Sequence, residues 1–347
     1  MDFVLIGTLL AAAFYVGWNI GANDAANCIG TTVGAQIISY RKAALLMAVF
    51  VIMGGMLQGH HVMKTVGKGI VITEIAVYEE HNDEPAPAEF RELFPDNRLP
   101  DLAILVSLLS AGFFVTVATV SRIPVSTSQA IVGGVAGTGV GIVGAEASFF
   151  KTGVLLKIAG AWVISPVLTM LLAFLVYLLL GLLLRRAKAI FWSNVMALAV
   201  LASAAYVSYS LGANDVGNAI GPLLNRFPDE ALYLAALGGI AMAAGALTFG
   251  SRVTNTVGKT ITPLDYGGAL AAQLSAAFGV HVFSVLGIPV STSQAVVGGV
   301  IGVGLTKGMK AVSTRKILTI FAGWIITPIC AAVFAAVLYR LLDYLLR

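Results

Sequence analysis

Two stretches of the chain repeat each other closely: residues 21–30 read G-A-N-D-A-A-N-C-I-G, and residues 212–221 read G-A-N-D-V-G-N-A-I-G. A second pair is identical, because residues 124–130 and residues 289–295 both read P-V-S-T-S-Q-A. An apolar composition can make alanine and leucine recur, but it does not place two polar motifs in the same order in both halves. The chain therefore contains an internal duplication, which is the sequence signature of a repeat architecture.

The offset between the two copies changes once along the chain. The first pair of motifs is offset by 191 residues and the second by 165, so the first copy holds 26 additional residues. These fall in the acidic, polar stretch 74–101, for which the second copy has only a short turn. We predict repeat 1 over 1–185, a short basic linker over 186–191 and repeat 2 over 192–347.

Composition places the chain in a lipid bilayer. Hydrophobic residues make up 58% of the sequence and charged residues 11%, whereas a soluble domain is about one quarter charged. Crossing the hydrocarbon core takes about 20 apolar residues in a helix, and the apolar runs are continuous rather than alternating as in a barrel strand. We predict an all-α polytopic membrane protein, with spans that include residues 3–20, 43–59, 102–120, 153–184 and 318–342.

The duplication also bears on topology, since internal repeats in transporters are often inverted with respect to the membrane. Arg41 and Lys42 align with Leu232 and Tyr233, so the basic signal of one loop is absent from its equivalent. Loops on opposite sides of a membrane differ in this way. We predict two inverted-topology repeats in a multi-pass protein of the cell membrane, with Arg185–Lys188 on the cytoplasmic side. Pro166 is a point at which the long segment 153–184 can divide.

The first motif places carboxylate and amide side chains inside apolar sequence. Asp24 and Asn27 are three residues apart and share a helix face, and an ionisable residue at membrane depth is costly and usually functional. Carboxylate and amide oxygens suit a small hard cation. A helix cap is the alternative for a single copy, but the motif occurs twice. The predicted cation ligands, with sodium the favoured ion, are Asn23, Asp24, Asn27, Asn214, Asp215 and Asn218. Gly21 and Gly212 further predict unwinding just before each aspartate.

The second motif predicts a broken or re-entrant helix. Proline disfavours a helix before it, and Ser and Thr then begin a new one near Ser126 and near Ser291. The start of such a helix offers unpaired N–H groups and a positive dipole end, which bind anions. A capped packing helix is the alternative, whereas the duplication favours one site shared by both copies. The predicted ligands of a tetrahedral oxyanion are Ser126, Thr127, Ser128, Gln129, Ser291, Thr292, Ser293 and Gln294.

Other features of the sequence point to no further chemistry. Lys68 and Lys259 recur in T-V-G-K, and we interpret them as interfacial anchors rather than anion ligands. No P-loop, nucleophile motif or repeated histidine spacing is present, so we predict neither an enzyme nor a resident cofactor. The formal net charge of +4 comes mostly from cations at segment ends and does not indicate nucleic-acid binding.

Taken together, the paired motifs resemble the PiT family of inorganic phosphate transporters over essentially the whole chain. The resemblance implies an inverted-repeat protein that carries phosphate with a co-transported cation, sodium or proton, and the N-D-x-x-N and S-T-S-Q residues named above match its signatures. Many relatives have histidine where this chain has Gln129 and Gln294, and losing that titratable group favours sodium. A sulfate permease of the same architecture and an anion channel are the alternatives, and a homo-oligomer is left open.

Overall fold

The computed structural model describes residues 2–34, 36–120, 125–184, 189–251, 265–306, 308 and 314–346. The helices of the first half are α1 (Asp2–Gly34), α2 (Tyr40–Lys68), α3 (Ile75–Asn82), α4 (Phe90–Leu93), α5 (Asp101–Val120), α6 (Thr127–Val143) and α7 (Thr152–Leu184). Those of the second half are α8 (Ala189–Leu211), α9 (Gly217–Ile220), α10 (Ala231–Thr248), α11 (Tyr266–Val285), α12 (Thr292–Thr306) and α13 (Thr314–Leu346). A π-helical turn over Gly212–Val216 joins α8 to α9.

Eight helices among the described residues are long and apolar enough to cross a membrane, and α6 and α12 are shorter apolar helices. The prediction of an all-α polytopic membrane protein is therefore confirmed. The expected division at Pro166 is wrong, because α7 runs unbroken from Thr152 to Leu184 with Pro166 inside it. A proline removes one backbone donor, and a helix of 33 residues keeps its other bonds.

Contacts made at the ends of the helices, and by the loops that connect them, define the two ends of the bundle. At one end the backbone N–H of Lys151 donates to Ile70 O at 3.0 Å, and Arg226 lies 3.7 Å from Asp101. We call this the acidic end, since the polar stretch 74–101 lies there. At the opposite end the Tyr177 hydroxyl donates to Asp265 Oδ1 at 3.2 Å. The connection Arg185–Lys188, predicted to be cytoplasmic, is outside the described residues, and α8 already begins at Ala189.

Two hairpins enter the bundle from opposite ends. Helices α5 and α6 start and finish at the acidic end and pack side by side, with the Ser107 hydroxyl 3.0 Å from Thr138 Oγ1. Helices α11 and α12 form the equivalent hairpin from the opposite end, where Asp265 precedes α11. Three other helices per repeat run from end to end: α1, α2 and α7 in the first repeat, and the α8–α9 run, α10 and α13 in the second.

The two repeats run in opposite directions. Helix α1 lies parallel to α10, since Gly17 faces Gly238 and Gly21 faces Met242. Helix α2 lies parallel to α8 and α9, because the positions of their contacts advance in the same direction along both segments. Because α1 and α2 are antiparallel neighbours across a short turn, the equivalent helices α1 and α8 are antiparallel as well. Each repeat crosses the bundle three times and adds one hairpin that starts and finishes at the same end. Because the number of crossings is odd, the second repeat begins at the opposite end from the first, and the inverted topology is confirmed.

Glycines set how closely the hairpin helices approach the long helices of the other repeat. On α6, Gly137 faces the backbone carbonyl of Ala332 in α13, and on α12, Gly302 faces that of Met170 in α7. A methyl group at either glycine would overlap the facing carbonyl. By contrast, a methyl group at Gly160 of α7 would meet no atom within 4 Å among the residues that the structure describes. The small residues therefore fix the depth at which α6 and α12 begin.

We expect Gly137→Ala and Gly302→Ala to destabilise the protein by about 1–3 kcal/mol, the usual cost of overpacking a close helix contact. Gly160→Ala is the matched control and should be neutral or stabilising, because alanine favours a helix and the space is open. Thermal unfolding of the purified variants in detergent measures the difference. Equal unfolding midpoints for Gly137→Ala and Gly160→Ala would contradict the packing assigned to α6.

Candidate ion-binding site between the two hairpins

The starts of α6 and α12 meet inside the bundle. Each helix is capped by the serine before it: the N–H of Gln129 donates to Ser126 Oγ at 3.2 Å, and the N–H of Gln294 donates to Ser291 Oγ at 3.2 Å. Both helices thus begin where the sequence predicts a broken helix. Ser128 donates to Val290 O at 2.5 Å, which joins the first helix start to the connection before the second.

Asp24 of α1 reaches this meeting point. Its side chain is 1% exposed. It accepts hydrogen bonds from Asn27 Nδ2 at 2.7 Å, from the Thr127 hydroxyl at 3.1 Å and from the Ser293 hydroxyl at 3.1 Å. One hydroxyl comes from its own repeat and the other from the opposite repeat.

Asp215 of the π-helical turn makes the equivalent contacts. It is fully buried and accepts from the Thr292 hydroxyl at 2.8 Å and from Asn218 Nδ2 at 2.7 Å. Its Oδ1 atom also lies 3.2 Å from the Ser128 hydroxyl, whose one hydrogen it shares with Val290 O. Again the threonine belongs to the same repeat and the serine to the other. The crossed serines make the two aspartates parts of one cluster, related by a pseudo-twofold axis.

The two carboxylates have only neutral hydrogen-bond partners among the described residues. The ion pairs in that part of the chain involve Arg98 and Arg226, both at the acidic end. Burying a carboxylate away from water is costly unless a cation or a proton compensates its charge. Two such carboxylates in one cluster concentrate negative charge inside the bundle, which either a bound cation or a proton would offset.

The two asparagines that precede the aspartates differ in their contacts. Asn214 donates to Val290 O at 2.7 Å and accepts from the N–H of Val290 at 3.2 Å, so it fixes the tip of the second hairpin. Asn23, predicted as a cation ligand, instead donates to Thr119 Oγ1 at 2.9 Å. Its amide nitrogen therefore points to α5 rather than to Asp24.

The predicted unwinding at the glycines is wrong in the first copy. Helix α1 is α-helical from Asp2 to Gly34, and only the second copy widens, into the π-helical turn that starts at Gly212. The glycines serve close packing instead, since Gly21 faces the backbone carbonyl of Met242 and Gly212 that of Val51.

Gln129 and Gln294 directly follow the serines of the aspartate cluster in the sequence, and both also line a cavity. They form the floor of a cavity of about 610 Å³ between α7 and α13, with Trp162 and Trp324 among its apolar walls. The Oε1 atoms of both glutamines have no hydrogen-bond partner among the described residues. Trp162 also donates to Pro289 O at 3.2 Å and supports the hairpin tip. The recurrence of W-V-I-S-P as W-I-I-T-P is the sequence signal for these tryptophans, although it does not indicate their role.

Comparison with known proteins gives a consistent picture. Residues 20–335 match the model of the phosphate transporter family. A protein of Thermococcus kodakarensis, named as a candidate phosphate permease, is 29% identical over 99% of this chain and 98% of its own length. The chloroplastic inorganic phosphate transporter 2-1 of Arabidopsis thaliana is 28% identical over 94% of this chain and 70% of its own. A solved structure named "The sodium-dependent phosphate transporter" is 28% identical, with a TM-score of 0.82 over 98% of this chain and 99% of that one.

We expect Asp24→Asn and Ser293→Ala to be coupled, because each removes one side of a contact between the repeats. A double-mutant cycle on unfolding in detergent should give an interaction free energy of about 0.5–3 kcal/mol. Ser203 is a suitable control, since this buried serine bonds Gln273 and not Asp24. If the cycles with Ser293→Ala and Ser203→Ala give the same value near zero, the crossed contact is not formed in solution.

Proposed function

The chain belongs to the phosphate transporter family, and we propose that it couples phosphate movement to sodium at the aspartate cluster where the two hairpins meet. The protein is a multi-pass membrane transporter of phosphate and not an enzyme. The coupling ion, the residues that bind each ion and the membrane in which the protein resides are parts of the proposal.

The observation that carries the coupling is the pair of buried aspartates, which have no cationic partner among the described residues. Phosphate would bring further negative charge to a cluster that already holds Asp24 and Asp215. Like charges a few ångströms apart repel by about 4 kcal/mol at an effective dielectric constant of about 20. Phosphate therefore enters this site together with cations, which is the basis of symport.

Oxygen ligands beside the carboxylates favour sodium over a proton. The Oδ1 atom of Asn218 is buried and has no partner among the described residues, while its Nδ2 atom bonds Asp215. An unpaired amide oxygen next to a carboxylate is a ligand for a hard cation, whereas a proton needs the carboxylate alone. The similar solved structure is that of a transporter named as sodium-dependent, and this likeness supports the same choice.

The proposed position of phosphate is between the starts of α6 and α12. The backbone N–H of Ala130 bonds Ser126 O at the start of α6, and the N–H of Ala295 bonds Ser291 O at the start of α12. The first amides of each helix come before these residues. Such amides and the positive ends of two helix dipoles attract an anion. The proposed phosphate ligands remain the S-T-S-Q residues of both repeats, Ser126–Gln129 and Ser291–Gln294.

The hydroxyl groups provide a way for one ion to prepare the site for the other. In this structure the Thr127 and Thr292 hydroxyls donate to the aspartates. A sodium ion on each carboxylate would replace those hydrogen bonds and bind the hydroxyl oxygen through a lone pair. The released hydrogen then points away from the carboxylate, toward the anion. Sodium and phosphate would thus raise each other's affinity by the same factor, as linkage requires.

Charge at the two ends sets the proposed orientation in the cell membrane. The acidic end carries the polar stretch 74–101, whereas Arg41 and Lys42 begin α2 at the opposite end. Positive residues favour the cytoplasmic side. We place the acidic end outside, which also puts the linker that follows Leu184 inside.

Removing the threonine hydroxyls should weaken phosphate binding more than it harms folding. We expect Thr127→Val and Thr292→Val each to lower affinity about ten- to a hundredfold, because a hydrogen bond to a charged group contributes about 1.5–3 kcal/mol. Uptake of labelled phosphate into proteoliposomes measures the change in KM.

Thr138→Val is the matched control for these variants. Thr138 is a buried threonine of α6 whose hydroxyl bonds Gly134 O at 2.8 Å, about three turns from the site. Its replacement should leave KM for phosphate unchanged. Unaltered KM in both site variants, or an equal change in the control, would exclude direct contact between these hydroxyls and phosphate.

We expect Asp24→Asn and Asp215→Asn to abolish the stimulation of phosphate uptake by sodium, since the neutral amide no longer compensates a bound cation. Sodium and pH gradients are imposed separately, and size-exclusion chromatography reports folding. Wild-type uptake that follows the pH gradient and ignores sodium would overturn the sodium assignment. Uptake indifferent to both gradients would indicate a channel instead.

A further inference from the structure

Three lysines line one pocket at the acidic end of the bundle. The pocket has a volume of about 410 Å³, and its walls include Lys64, Lys68 and Lys151 together with Thr65. The remaining walls are Gly69 and, in the connection between α9 and α10, Leu224 and Pro228. No acidic residue of the described chain lines the pocket, although this end is otherwise rich in carboxylates.

Two of the lysines share a helix face, and the third is held against them. Lys64 and Lys68 are one turn apart in the last part of α2. Lys151 is fixed by its backbone N–H, which donates to Ile70 O at 3.0 Å, and by its ammonium group, which donates to Lys68 O at 3.1 Å. The arrangement thus brings three positive charges around one space.

These charges are not neutralised by protein groups in the described part of the chain. No carboxylate oxygen there lies within 4 Å of the three ammonium nitrogens, and nearby Asp101 is engaged by Arg98 and Arg226 instead. Like charges one turn apart on a helix destabilise it by a few tenths of a kcal/mol. An anion in the pocket would remove this repulsion.

The pocket lies directly beside the tip of the second hairpin. Gly287 at that tip has φ +71°, and a methyl group there would lie 3.4 Å from Thr65 Oγ1, a pocket wall. Three residues further on, Val290 accepts the hydrogen bond from Ser128 in the central cluster. Three residues span at most about 10 Å, so the pocket is close to the proposed phosphate site.

We propose that the lysine pocket is an entry site that collects phosphate at the outer surface ahead of the central site. It would bind phosphate, or another tetrahedral oxyanion, through the three ammonium groups and the Thr65 hydroxyl. A recessed cluster of one sign raises the local concentration of the opposite ion and its rate of association. The inference rests on the proposed function, because it assigns the pocket to the same transport pathway. Lys68 then acts on the substrate rather than as a simple interfacial anchor.

The test is phosphate uptake by the K64Q/K68Q/K151Q variant as a function of phosphate concentration. At low ionic strength KM should rise about three- to tenfold, with kcat within about twofold of the wild type, because recruitment and not transport is impaired. At about 1 M choline chloride and constant sodium the difference should vanish, since the Debye length falls to about 3 Å. Lys157→Gln is the control, an exposed α7 lysine that does not line the pocket.

A second measurement tests the sign of the charge at one position. In a Cys330→Ser background, Lys68→Cys is treated from outside with impermeant thiol reagents of similar size, one cationic and one anionic. Cys28 is buried and so protected. The cationic reagent should restore the KM measured for the protein that carries Lys68, and the anionic reagent should raise KM further. Equal effects of the two reagents, or a triple variant with unchanged KM at low ionic strength, would overturn the entry site.

The entry site and the sodium coupling can be tested independently of each other. If the wild-type protein transports phosphate with sodium and the lysine variants behave like it, only the entry site is wrong. If sodium has no effect on wild-type uptake but the lysine variants still show the salt-dependent rise in KM, the coupling proposal fails and the entry site stands.

Discussion

The organisation of this protein depends on two carboxylates held in the membrane interior without a cationic partner among the described residues. Asp24 and Asp215 each accept hydroxyl hydrogens from both repeats. Neither half of the chain can complete the cluster alone, because each aspartate takes its serine from the opposite half. The electrostatic cost of the buried carboxylates and the joining of the two repeats thus have the same physical origin.

Bringing two helix starts to one point in a membrane requires that they come from opposite ends. Helix α6 has 17 residues and α12 has 15, which gives lengths of about 25 Å and 22 Å. Together they cover the depth of the bilayer, and only an inverted repeat makes them meet head to head. The glycines of α6 and α12 let these helices lie against α13 and α7, so that packing fixes the depth of the meeting point.

Much of this arrangement was predictable from sequence, and the reasons for the exceptions are physical. The duplication indicates which residues are equivalent, and proline followed by serine and threonine indicates where α6 and α12 begin. Equivalence does not indicate contact, so the crossing of Ser128 to Asp215 and of Ser293 to Asp24 required the structure. A glycine in a helix is also ambiguous, because Gly21 permits either unwinding or close approach of another helix. The neighbouring backbone of Met242 shows that Gly21 serves close approach. Asn23 and Asn214 occupy equivalent positions in the duplicated motif, yet Asn23 bonds Thr119 and Asn214 bonds the backbone of Val290, a difference that the motif does not indicate.

We propose that the duplicated sequence builds one phosphate site and not two. The most direct test is the stoichiometry of radiolabelled phosphate bound at equilibrium to the purified protein in sodium, at concentrations too low to fill a surface entry pocket. We expect one phosphate per chain, whose affinity falls when the S-T-S-Q motif of either repeat is altered. Two phosphates per chain with independent affinities, each sensitive to the motif of one repeat only, would contradict it.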